Sequence, residues 1–222
     1  MKYYILLLMT MFFSTTSVLA SEWELEKYDE ENDIKVYTRL KPNSNSDFKE
    51  FKATTHIKSR ITPFIALLNN ADLACEWMYN CIEFKFIDEA SATKKTSYSI
   101  NNAPWPVTDR DFVIDSETQQ DKDSYAVTIT LSSASDKVAN DDNYVRVKDL
   151  QGKWQFIPLD NGIVEVTYQL FLDPAGSVPS MIATTTFVDT PYYTLLNLRK
   201  IITKPELQSQ QLDHISEPPA NE

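Results

Sequence analysis

The sequence predicts an α+β fold in which a long curved antiparallel β-sheet packs against one C-terminal helix. Three observations carry this. From Cys81 to about Asp173 strand patterns follow one another across short turns; Asp173-Pro174-Ala175-Gly176 then stops them; and the longest helical pattern opens only afterwards, at Ser177-Val178-Pro179, and runs to about Ile202. A bent sheet and one amphipathic helix must bury their apolar faces against each other. The 222 residues, with no internal repeat, allow one domain with a sizeable core or at most two small ones.

Met1 to Ala20 comes first: Lys2, an apolar run through Phe13, then Val18-Leu19-Ala20 with a small residue last. This reads as a secretory signal peptide cleaved near Ala20, which places the mature protein in the periplasm or outside the cell. Ser21-Glu22-Trp23-Glu24 fits a capping box opening a short helix. Two β-rich runs, 34–39 and 48–57, flank the turn cluster at Pro42. Thr62-Pro63 starts a helix pair reaching about Tyr79, with Phe64, Leu67, Leu68 and Ala71 at helical spacing.

Cys75 and Cys81 are a disulfide candidate in an oxidising compartment. Six residues of unbroken helix would separate them by about 9 Å, too far to bridge, so a bond requires the helix to end between them. Asn80 offers a left-handed stop. Strands are expected at 82–88, 96–100, 111–120, 124–131, 143–149, 152–158 and 163–172, with a hairpin at Asn161-Gly162 and a turn at Asp149-Leu150-Gln151-Gly152. Pro191 should kink the last helix. After residue 202 the chain turns polar, and 203–222 reads as a disordered tail.

Composition removes several chemistries. With only three Gly, far apart, neither G-x-G-x-x-G nor a P-loop can be written, so those nucleotide sites are excluded. A formal net charge of −11 without a basic block argues against nucleic acid. Of two His, His214 falls in the tail and leaves His56 alone in the body; no zinc spacing exists and no cofactor is implied. The partner should be small and apolar or cationic.

Five blocks in register resemble a known family. Pro104-Trp105-Pro106-Val107 followed by Asp109-Arg110-Asp111-Phe112-Val113 resembles the strand-entry motif of START domains, the steroidogenic-acute-regulatory-related lipid-transfer family, in its secreted bacterial form. Ile34 to Arg39, Cys75 to Cys81, Asp173 to Pro179 and Pro191 to Arg199 resemble further family segments, together spanning about residues 23–202. The resemblance implies a helix-grip fold over residues 21–202, a tunnel for one lipid or other apolar molecule between sheet and helix, and non-catalytic binding and transfer gated by that helix. Some sterol-binding members carry an arginine on the strand after the R-D-F-V block; here Ile114-Asp115-Ser116-Glu117-Thr118 has none, which weakens a sterol assignment.

Candidate cavity residues are Trp77, Tyr98, Trp105, Arg110, Phe112, Trp154 and Tyr168, with Met181, Thr185, Val188 and Tyr192 sharing one face of the last helix. Trp105, held between two prolines, serves either as a fixed aromatic at a cavity mouth or as a plug in the core. Arg110 reads as a structural ion pair with its flanking aspartates or as a headgroup contact. Arg199, Lys200 and Lys204 form a basic cluster expected near the gate, which reads as favourable charges at a helix C-terminus or as contacts to anionic headgroups in transient membrane contact by a monomer. Two rival readings are a helix-grip cyclase or hydrolase, which needs a general acid or base in the cavity, and a solid-core adhesion or carbohydrate module.

Overall fold

The structure, a computed structural model, describes residues 22–42, 46 and 48–219; the side chains at 180, 181 and 183 are excepted, and the signal-peptide reading of 1–20 lies outside the described residues. Strands β1 (Glu24–Asp29), β2 (Ile34–Leu40) and β3 (Lys49–Lys58) lead into helices α1 (Thr62–Leu68) and α2 (Ala71–Trp77). Strands β4 (Cys81–Ser91), β5 (Lys94–Asn101), β6 (Arg110–Gln120), β7 (Val127–Ser133), β8 (Val145–Arg146), β9 (Asp149–Pro158) and β10 (Ile163–Asp173) follow, and then α3 (Ser180–Ile201) and α4 (Pro205–Gln208). The sheet order is β1-β2-β3-β10-β9-β7-β6-β5-β4, with β8 a short parallel partner of β6. Every other pairing is antiparallel.

Alternation places the core. Ile34, Val36 and Thr38 on β2, and Phe51, Ala53, Thr55 and Ile57 on β3, are buried on the side that meets α3. At one end Phe64, Ile65 and Leu67 of the α1 helix meet Phe156, Leu195, Leu198 and Ile202 in a continuous apolar cluster. Phe64 and Phe156 stack at 5.1 Å there. The helix α3 runs through Pro191 unbroken.

The Cys75–Cys81 bridge forms because α2 stops at Trp77 and Asn80 turns left-handed at φ 61°, bringing the two Cα atoms to 4.9 Å. The Asn161-Gly162 hairpin is present, both residues at positive φ.

Four local expectations are corrected. The capping box at Ser21 opens no helix: Glu24 begins β1, where pairing to β2 and Lys49 ion pairs with Glu24 at 3.0 Å and Glu26 at 3.3 Å outweigh the local helix signal. The turn expected at 149–152 lies inside β9. Gly152 is needed for space, since a Cβ there would come within 2.4 Å of the Leu170 side chain and 2.5 Å of the Gln169 carbonyl. Of the strand expected over 143–149 only Val145–Arg146 pairs as β8, and Asp149 already belongs to β9.

Over its described residues, 203–219, the tail is packed rather than disordered. Leu207 and Ile215 are buried, Leu212 joins the same cluster, and the Glu217 carboxylate accepts from Ile61 N at 3.0 Å and Thr62 N at 2.7 Å. Polarity misled here, because three apolar residues and one capping carboxylate suffice to hold the segment across the start of α1. His214, assigned to that tail, has its Nε2 buried. His56 is exposed on the outer face, its Nδ1 2.7 Å from Asp33 Oδ2.

Candidate functional site

Away from the solid cluster, sheet and α3 separate. A compartment of about 180 Å³ lies over β4 to β7, β9 and β10, roofed by α2 and α3. A second, of about 120 Å³, lies toward the N-terminal half of α3, and Phe112, Leu170, Leu172 and Thr190 line both. Outside it an open groove is bordered by Phe48, Pro106, Val107, Val178 and Pro179, which marks the mouth.

The concave floor follows from register. Tyr168 pairs with Trp154, Trp154 with Ile129, and Ile129 with Thr118, so one row crosses four strands from aromatic to polar. Tyr168 and Trp154 stack at 4.0 Å, and Trp77 meets Trp154 edge-on at 5.7 Å. Burial pushes the Tyr168 hydroxyl well above the usual phenol range.

On β5 the alternation is inverted. Lys95, Ser97, Ser99 and Asn101 face the cavity, while Thr96, Tyr98 and Ile100 are buried on the convex side. That convex side is covered: Val138 and Tyr144 pack on Tyr98, Ile100 and Val113. The cover is fastened by a buried ion pair, Arg146 Nη2 to Asp111 Oδ2 at 2.6 Å, with Arg146 also donating to the carbonyls of Ser135, Val138 and Ala139. Tyr98, expected in the cavity, belongs to this outer layer; burial first and then the Asp111 charge push its hydroxyl up to about 12.

Trp77, Phe112, Trp154 and Tyr168 line the cavity. Trp105 does not plug the core: its ring is 90 % exposed on the loop beside the mouth, between Pro104 and Pro106. Arg110 lines the second compartment, but the expected ion pair with Asp109 or Asp111 is absent among the described residues. Its Nε donates to the Pro174 carbonyl at 3.2 Å, its Nη2 to Ala175 at 3.2 Å and its Nη1 to Thr108, so it joins the two loops at the mouth. Its burial lowers the guanidinium pKa.

The cavity face of α3 differs from the expected one by about one residue. Ile182, Thr186, Thr190 and Thr194 line the cavity at four-residue spacing. Thr185 is exposed, Val188 packs on the solid cluster, and Tyr192 donates to Asp29 at 2.8 Å beneath Lys27, 3.5 Å from its ring. Met181 lies outside the described side chains. The basic cluster sits at the other end of α3 from the mouth, where Arg199 donates to Thr55 and the His56 carbonyl and Lys204 pairs with Glu76 at 2.9 Å.

Sequence reading missed Ser97, Ser99 and Asn101, because polar residues on an alternating strand are normally assigned to solvent. The Thr186, Thr190, Thr194 repeat was a legible signal for the helix.

A curved sheet gripping one helix, with enclosed apolar space between them, defines the helix-grip class of ligand-enclosing domains. Within that class the START-domain profile matches residues 6–187, and the chain belongs to the START domain family. An uncharacterised protein of Pseudomonas aeruginosa is 34 % identical over 188 residues, covering 85 % of this chain and 90 % of its own. The crystal structure of a STAR-related lipid transfer protein from Xanthomonas axonopodis superposes with TM-score 0.73 at 32 % identity, over 82 % of this chain and 99 % of that one. Human StAR-related lipid transfer protein 5 shares the fold alone, with TM-score 0.72 at 15 % identity over 82 % of this chain and 86 % of its own.

Proposed function

We propose that this protein is an extracytoplasmic lipid carrier that encloses one apolar molecule and transfers it, as a monomer in transient contact with membranes, without covalent chemistry. The observation that carries the reading is the enclosed double compartment between sheet and α3. Family membership and the lipid-transfer relative of Xanthomonas axonopodis support it. No Asp, Glu or His side chain lines either compartment among the described residues; of the titratable groups that do, burial raises the Tyr168 hydroxyl pKa away from neutral and Lys95 is paired with Glu89, which favours a carrier over a helix-grip enzyme. Removing apolar ligand surface from water stabilises such a complex by about 25 cal/mol per Å² before ordering costs.

The leader-like segment 1–20 and the Cys75–Cys81 bridge support export to an oxidising compartment. Entry runs through the mouth, where α3 begins and Arg110 ties the 102–109 loop to the 173–176 turn. Exchange of Arg110 for Gln should speed release of a fluorescent lipid analogue about tenfold, with little change in overall stability. An unchanged release rate would move the gate elsewhere.

The test of the function is native mass spectrometry of protein purified from its own compartment, followed by lipid extraction and a vesicle-to-vesicle transfer assay. Co-purifying lipid and accelerated transfer are expected. A chain that carries no apolar molecule and competes for no lipid probe is not a carrier.

A further inference from the structure

The cavity of the proposed carrier has two walls of different chemistry. One is apolar and aromatic, with Ile129, Leu131, Trp154 and Leu170; the other is made of neutral hydrogen-bonding groups on β5 and α3. Ser97 reaches the Ile114 carbonyl at 3.5 Å, and Thr194 accepts from Tyr79 N at 3.2 Å. Ser99, 8 % exposed, makes no side-chain hydrogen bond among the described residues; nor do the Asn101 amide, the Thr190 hydroxyl and the Tyr168 hydroxyl. The Trp77 indole N–H is buried without an acceptor. Enclosed polar groups are normally satisfied, so a row of donors and acceptors aimed into one space defines what fits there.

Charge completes the description. Among the described residues Lys95 is the only ionisable side chain other than tyrosine lining the larger compartment; it pairs with Glu89, and its ammonium lies 4.6 Å from the Phe86 ring centre. Arg110 in the smaller one is engaged with three carbonyl oxygens. A carboxylate or phosphate drawn into the larger compartment would meet, among the described residues, no cation there but Lys95, already paired with Glu89, and burying an unpaired charge is strongly unfavourable.

We infer that the enclosed ligand is an uncharged lipid whose apolar body carries hydroxyl and ester or amide groups along one edge, the chemistry of an acylglycerol or an N-acyl amide, and not an ionised fatty acid or a phospholipid. The oxygen-bearing edge lies against Ser99, Asn101 and Thr190, and the hydrocarbon against Trp154, Ile129 and Leu131. This rests on the carrier reading and narrows it.

The test uses purified full-length mature protein with four probes measured separately by displacement of one fluorescent lipid: a monoacylglycerol, the fatty acid of the same chain at a pH where it is ionised, a phosphatidylglycerol and a plain hydrocarbon of equal length. The monoacylglycerol should bind at least tenfold tighter than the fatty acid or phosphatidylglycerol. Ser99→Ala combined with Thr190→Val should weaken monoacylglycerol about tenfold and leave the hydrocarbon within twofold, since each neutral hydrogen bond is worth a few-fold in affinity. Circular dichroism of the double variant verifies its fold, and single Ser99→Ala, expected to lose about threefold, is the fallback. Tighter binding of the fatty acid or phosphatidylglycerol, or equal loss of monoacylglycerol and hydrocarbon, overturns this inference while leaving a carrier. Failure of all four probes to displace the fluorophore removes both.

Discussion

The two halves of α3 sit against the same sheet and do different work. In its C-terminal half Leu195 and Leu198, and Ile202 just past its end, are fully buried against α1 and Phe156. In its N-terminal half Thr184, Thr185 and Thr186 are exposed, and among the described side chains Phe187 is the one large buried residue. Packing and hollow space are thus divided along one helix. The solid end holds the fold, and the hollow end makes fewer of the buried contacts that stabilise it.

The sharpest way to break this contrast is to cut both ends equally. Phe156→Ala should lose about 3–5 kcal/mol in denaturant titration, as large-to-small changes in packed cores do, whereas Phe187→Ala beside the cavity should lose about half of that. Equal losses would mean that the mouth is as solid as the base. Next in size, Cys75→Ser with Cys81→Ser removes a short loop closure beneath the solid end and should lower stability by about 2 kcal/mol.

Smaller still, Glu217→Gln weakens the carboxylate cap on α1 and should lose about 1 kcal/mol in a thermal melt, with ligand release unchanged. A change in release rate instead would tie the strap to the gate. Alkaline pH gives the mildest effect. Tyr98 is held up from 10.0 to about 12 by burial and then the Asp111 charge, and Tyr192 to about 12 by its hydrogen bond to Asp29. The unfolded chain releases these protons first, so their contribution is complete below pH 10 and is lost between pH 10 and about 12. Tyr98→Phe should flatten that fall, read by denaturation at successive pH values; an unaltered slope would place Tyr98 outside the closed layer.

Much of the fold was legible because its signals are local: alternation over β6, β9 and β10, the Asn161-Gly162 turn, Pro63 at a helix start, the Gly176 break. The helix-grip architecture and the family were legible through five blocks in register. The site was only half legible. Aromatic side chains such as Trp154 and Phe112 announce themselves, but the hidden face of β5 depends on a cover supplied from residues 134–147, far along the chain. Which face of α3 meets the cavity depends likewise on how β2 and β3 rotate it, and helical spacing alone does not set that angle.

The inverted strand β5 has an evolutionary corollary. Its outward residues Tyr98 and Ile100 hold the cover, and its inward residues Ser97, Ser99 and Asn101 line the enclosed space. Substitutions at the inward positions therefore change the lining of the enclosed space without disturbing what keeps the domain folded. One strand lets that lining drift among descendants while the scaffold stays constant.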